Sequence, residues 1–322
     1  MHGILALSAL HLASLHPDRK REYTAQSARH QEVALSRLRT GLFDTTEENC
    51  FEHFILAYLV ILFTFYSIGN PLVDDDNNDD HDTSSPTTNN NNNNNNRRRH
   101  VPLSLHELGQ NLFLGQGIFN TISSPEAWTW LQRGPLAALF ANARHKAPTA
   151  ANLPADAPGT FPHRLARLAE LVAAMGGSPA ESRARASCMV AVDGLRRAFG
   201  VAVLGGGGRA EASPVWVWLT LLPPDFREHV GREHPVALVV LAHYAAMVRC
   251  FEDRWYLAGW SARVLGAIEE ALERRGAAGD CGGGDGSGER WGEWLEFPKA
   301  FGAAELDEAI RQSEERREQG VE

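Results

Sequence analysis

Val215-Trp216-Val217-Trp218-Leu219-Thr220-Leu221-Leu222 alternates enough to pass for a β-strand, and its reading decides the fold class. A strand exposes its two faces with period two, so such a run could line a half-buried sheet. A strand also needs a neighbour for its backbone groups, and no other segment of the chain carries a strand signal. The stretch is therefore expected to be a short buried helix, and the fold to be all-α.

Working outward, the other apolar runs have helical spacing or length. Downstream, Pro235 to about Leu257 is long and apolar, Ser261–Arg274 is amphipathic, and Glu305–Glu318 is a charged terminal helix expected to fray. Upstream, Pro179–Phe199 and Arg164–Met175 are helical, separated by Gly176-Gly177, and Ala147–Pro162 reads as loop. Gly134-Pro135 opens a helix to about Asn142, and Leu103–Phe119 reads as another. Ser123-Ser124 before Pro125-Glu126 supplies a cap and an N-terminal proline for a short helix over Ala127–Leu131. Glu47-Glu48-Asn49 after Thr46 starts a helix carrying the apolar run Phe54–Ile68, closed by Gly69-Asn70-Pro71. That run is about fifteen residues, shorter than the ~20 a bilayer needs, so a core helix is expected and no membrane span. Arg19–Leu42 reads as a half-exposed amphipathic helix with Ala28, Val33, Ala34 and Leu38 on its inner side. His2–Leu15 is apolar or small at nearly every position and is expected to be buried on most sides. The count is about ten helices in an irregular multi-helix domain.

Two segments interrupt the pattern. Asp74–His100 holds a carboxylate cluster, an eight-Asn run and Arg97-Arg98-Arg99, with no leucine, valine, isoleucine or aromatic residue. It cannot repay its ordering entropy and is expected to be a disordered insertion over 74–100. Its acidic part lacks the central glycine and terminal glutamate of a calcium loop, so a solvated acidic loop is expected. Gly-rich 279–288 reads as a second flexible loop. Residues 1–300 then form one domain, and 301–322 a charged helix and tail.

A net charge of −9 argues against non-specific nucleic-acid binding by the whole surface. The four cysteines, Cys50, Cys188, Cys250 and Cys281, are far apart and read as thiols in a reducing compartment. No secretory leader pattern is present. Val201–Leu204 followed by Gly205–Ala210 formally fits a dinucleotide fingerprint, but the βαβ frame it requires is missing, so a flexible loop is expected. His11 with His16, and His229 with His234, are five residues apart rather than four, so neither pair shares a helical face as metal ligands would. His2 and His11 are read as satisfied core histidines. No nucleophile elbow or Cys–His arrangement emerges, and no enzyme is expected. The second half is dense in aromatic residues, among them Trp216, Trp218, Tyr244, Phe251, Trp255, Tyr256 and Trp260. They fill a helical core, or several line an apolar pocket between helices.

Three stretches carry a family resemblance. HGILALSALHLASLHP at the start, continuing into ARHQEVALSRLR and Glu47-Glu48-Asn49-Cys50, resembles the start of the effector region of fungal Zn₂Cys₆ zinc-cluster transcription factors, in the branch typified by the sterol uptake control protein. Gly115-Gln116-Gly117-Ile118 through Trp128–Leu136, and Ala242-His243-Tyr244-Ala245 through Trp255–Trp260 with Pro298 beyond, resemble later blocks.

The resemblance implies a helical region that senses a ligand and activates transcription by RNA polymerase II. In that branch the ligand is a sterol in a hydrophobic pocket, and its loss sends the protein from the cytoplasm to the nucleus. DNA is bound through a zinc cluster of six closely spaced cysteines, which four scattered cysteines do not supply. No cofactor is therefore expected in this chain, zinc belonging to the missing cluster, and Met1 reads as an internal methionine of a truncated gene model or as the start of a lone effector domain. Apolar helices offer Tyr66, Phe113, Trp128, Tyr244, Met247 and Trp255 as residues for a sterol or lipid pocket, with His243 or Arg249 as polar anchor. The alternative is a helical dimerisation or coactivator-docking module with a filled core, its interface on the helices at 2–15 and 19–42.

Overall fold

Ser213–Leu221 is a helix, and with it the strand-like reading of Val215–Leu222 disappears. The computed structural model describes residues 1–41, 46–72, 102–112, 124–135, 137, 158–205, 209–210, 212–277 and 291–319. Among the described residues the chain is all-α, without a strand. The expected insertion at 74–100, the Gly-rich loop at 279–288, Phe113 and most of the helix expected to Asn142 lie outside the described residues.

In chain order the helices are α1 (His2–Leu15), α2 (Lys20–Gly41), α3 (Cys50–Gly69), α4 (Pro125–Arg133), α5 (Phe161–Ala173), α6 (Pro179–Leu204), α7 (Ser213–Leu221), α8 (Phe226–Gly231), α9 (Pro235–Arg249), α10 (Trp260–Ala277), α11 (Trp291–Ala300) and α12 (Ala303–Glu318). A further helical stretch covers 105–112. Several starts follow from local chemistry. Ser124, Thr160 and Ser178 accept the amides of Ala127, His163 and Glu181, and a proline follows each in the first turn.

The core is built around α9. Every residue from Val236 to Val248 is buried, and α5, α6, α7, α8, α10 and α11 all pack against it. An aromatic chain threads this core. The Trp218 ring stacks on Tyr244 at 3.9 Å, Tyr244 meets Trp260 edge-on at 5.7 Å, and Trp260 stacks on Phe65 of α3 at 4.9 Å. Two of these rings have their polar ends satisfied, since Trp218 Nε1 donates to the Ala191 carbonyl and the Tyr244 hydroxyl to that of Val215, whereas the buried Trp260 Nε1 has no partner among the described residues.

Several boundaries differ from the expectations. The apolar run ending at Ile68 is part of a 20-residue helix, Cys50–Gly69, long and apolar enough by length and composition to cross a membrane. It instead lines the core with Ile61, Phe65 and Ile68. Its end is pinned by close approach, since a Cβ on Gly69 would lie 2.3 Å from the Ala258 carbonyl oxygen. Helix α9 stops at Arg249 rather than Leu257, and the chain turns back through Gly259, whose φ of +78° suits glycine. Helix α11 was not expected. Helix α12 buries Leu306 and Ser313, and its Arg317 donates to the Leu204 carbonyl at the end of α6, so it is docked rather than fraying.

The N-terminal pair departs most. Helix α1 buries only Gly3, Ala6, Ala9, Leu10 and Ala13, against α2 and α3, while Ile4 is 57% and Leu15 60% exposed. It is therefore not buried on most sides. Helix α2 turns Ser27 and Ala34 inward, and Ala28 and Val33 are exposed, because Ser27 donates its hydroxyl to the Ala6 carbonyl at 2.8 Å. His2 is half-buried against His30 and His11 is exposed, stacked on Trp255, so neither is a core histidine.

Candidate functional site

A cavity of about 330 Å³ opens between the start of α5, the end of α6 and the α11–α12 corner. Its floor is apolar: Phe161, Phe199, Val203, Phe297, Ala300 and Phe301. Phe161 stacks on Phe199 with ring centroids 4.9 Å apart and touches Phe301 at 4.8 Å. Phe297 and Phe301 are four residues apart across the end of α11, which brings both rings to one side. The rim is polar and comes mainly from α12, with Glu305, Glu308, Gln312 and Arg316, while Gly159, Thr160 and Pro162 close the other side.

Two groups behind the floor hold it in place. His243 on α9 is buried, with Nδ1 2.9 Å from the Val239 carbonyl oxygen, and its ring lies near Phe161 and Phe297. Burial pushes its pKa down to about 4, so it is neutral at physiological pH. Arg249, at the end of α9, donates to the carbonyls of Pro298, Lys299 and Phe301 at 3.2, 2.5 and 3.4 Å. A helix leaves its last carbonyls without internal partners, and this guanidinium satisfies those of α11. The two residues read from sequence as ligand anchors thus serve the wall of the cavity.

Of the six residues read as pocket-lining, the five that are described lie in several locations, none of them among the residues lining this cavity. Tyr66 and Trp255 meet edge-on at 5.5 Å beneath α1, in a cluster with Ala6 and Leu10. Tyr244 and Met247 are buried in the α9 core. Trp128 packs near Cys50 and Leu131 where α4 meets α3. Phe113 is outside the described residues. The sequence reading missed Phe161, Phe199, Phe297 and Phe301. The four-residue spacing of the last two was the available signal, but nothing local joins them to Phe161.

Among the described residues no group of three or more His, Cys, Asp or Glu side chains could hold a metal ion. Cys50, Cys188 and Cys250 are free and buried, and burial pushes the thiols of Cys188 and Cys250 up to about 12, so they are poor nucleophiles.

No protein-family model matches the chain, and no solved structure does. A stretch of 69 residues is 36% identical to the Orsellinic acid/F9775 biosynthesis cluster protein D of Emericella nidulans, covering 19% of this chain and 14% of that protein. The chain is thus similar, over a short stretch, to a protein of a fungal biosynthesis cluster, and matches a small part of that protein's length.

Proposed function

We propose that this chain is a regulatory effector domain of a fungal RNA polymerase II transcription factor that takes a sterol or other lipid in an interhelical apolar pocket. The observation that carries the reading is the phenylalanine-floored cavity between α5, α6, α11 and α12. Its volume lies at the lower end of the ~300–1,000 Å³ common for small-molecule sites, and an apolar body with a few polar rim groups is the usual composition of such sites. The partial similarity to a fungal cluster protein and the sequence resemblance to zinc-cluster effector regions support the regulatory part. In this reading the domain is not an enzyme, holds no cofactor, acts in the nucleus after release from the cytoplasm, and meets DNA only through a zinc cluster that these 322 residues do not contain.

The test is organic extraction of the purified chain with mass spectrometry, followed by titration with ergosterol and with a fatty acid. Co-purifying lipid or saturable binding is expected. Absence of both removes the sensor function.

A second reading is favoured by the outer face of α1, where Ile4, Leu5, Leu12 and Leu15 are exposed. Large apolar groups displayed together mark interaction surfaces. In this reading the chain is a dimerisation or coactivator-docking module, and its oligomeric state in solution is the measurement that separates it from the first.

A further inference from the structure

The cavity rim indicates which lipid-like molecules fit, an inference that rests on the cavity being a ligand site. We propose that it selects amphiphiles with a carboxylate head over alcohols and amines of the same apolar length. Both rim carboxylates are already engaged within α12. Glu305 accepts the Gly302 amide at 2.9 Å, closing the helix start. Glu308 accepts Nε and Nη2 of Arg311 at 3.0 and 2.7 Å and Nε2 of Gln312 at 2.6 Å. An ammonium head would have to compete with the Arg311 guanidinium for Glu308.

Arg316 is different. It lines the same mouth, it is half-buried, and among the described residues it has no ion-pair or hydrogen-bond partner. A half-buried guanidinium beside an apolar floor favours an anion that can accept two parallel N–H bonds. The opposite lip is the N-terminal turn of α5, whose dipole presents partial positive charge to the same opening. Arg164 of that turn lies over the Phe297 ring at 5.4 Å and adds a second cation near the floor. The two sides of the mouth therefore favour one negative head group above an aromatic base.

The test is calorimetric titration of the full chain with laurate, dodecanol and dodecyltrimethylammonium, each below its micelle concentration. Laurate is expected to bind at least ten times more tightly than dodecanol, and the ammonium compound most weakly. In Arg316→Gln, laurate should weaken about ten- to a hundredfold, the loss typical of a charged hydrogen bond, while dodecanol is unchanged and reports an intact cavity. Equal binding of laurate and dodecanol by the parent, or equal weakening of both in the variant, would overturn the head-group preference and leave the lipid site standing. No binding of any of the three overturns the cavity as a ligand site.

Discussion

Helices α1 and α9 look alike in sequence, each a run of apolar and small residues with no acidic side chain, and the fold treats them in opposite ways. Helix α9 is enclosed on all sides from Val236 to Val248. Helix α1 turns mostly small residues inward, with Gly3, Ala6, Ala9 and Ala13 buried beside a single large one, Leu10, while Ile4, Leu5, Leu12 and Leu15 meet solvent. Apolar composition alone does not say which helix is the core. What separates them is the surroundings: α9 lies among six other helices, whereas α1 rests on α2 and α3. Small residues let α1 approach closely, as shown by Gly3, where a Cβ would come within 2.8 Å of Leu59 Cδ1. The cost is that four of its large side chains, Ile4, Leu5, Leu12 and Leu15, contribute little to folding.

The contrast is tested most severely at Tyr244. Truncation to alanine removes the ring that joins Trp218 to Trp260 and leaves a void with no room to collapse. A loss of about 3–5 kcal/mol is expected in urea unfolding, in the range of large-to-small aromatic core substitutions. A loss under ~1 kcal/mol would mean that α9 is not the centre of the core.

His243 gives the next largest effect. In the unfolded chain it takes up a proton near its ordinary value of 6.5, and in the folded chain only near 4, because burial disfavours the cation. Between those values the unfolded state binds more protons, so stability falls as pH drops through the window and is fully present above it. The displacement corresponds to about 3 kcal/mol. Urea midpoints at pH 7 and pH 4 for the parent and His243→Gln check it, since the variant should lose that part of the acid sensitivity. Equal acid sensitivity in both proteins would break the account.

At the α1–α2 contact the effects are smaller. Ser27→Ala removes the hydroxyl bonded to the Ala6 carbonyl and is expected to cost about 1 kcal/mol, the ordinary net value of one hydrogen bond. A cost as large as that of Tyr244→Ala would place α1 within the cooperative core.

The same contrast explains what could be read from the chain. The all-α class was legible because Val215–Leu222 had no partner strand, and the helix start at Ser124 was legible because a side-chain oxygen and a proline sit at fixed offsets. The burial of α1 was not legible, because periodicity carries no information when both faces are apolar. The inner side of α2 was read correctly at Ala34 and misread at Ala28 and Val33, because a serine, Ser27, faces inward on the strength of one long-range hydrogen bond, while the side chain of Leu38 lies outside the described residues. The cavity was hidden for a related reason. Phe161 and Phe297 are far apart in the chain and meet only after α5, α6 and α11 have packed, with Arg249 and His243 holding the wall from behind. The aromatic residues that drew attention, such as Trp218 and Tyr244, are the ones that fill space rather than enclose it.

The smallest expected stability change is on the outer face of α1, and it carries the most information about function. Leu5 and Leu12 lie seven residues apart on one stripe and are both exposed, so replacing both with serine removes little buried area. Surface substitutions of this kind usually change stability by within ~0.5 kcal/mol each. If the chain works as an interaction module, the parent should associate in sedimentation equilibrium and the Leu5→Ser, Leu12→Ser protein should be monomeric with an unchanged urea midpoint. If the parent is already monomeric and the double variant behaves identically, self-association through α1 is removed. If instead the variant unfolds much more easily, the leucines are buried in solution and the distinction between α1 and α9 collapses.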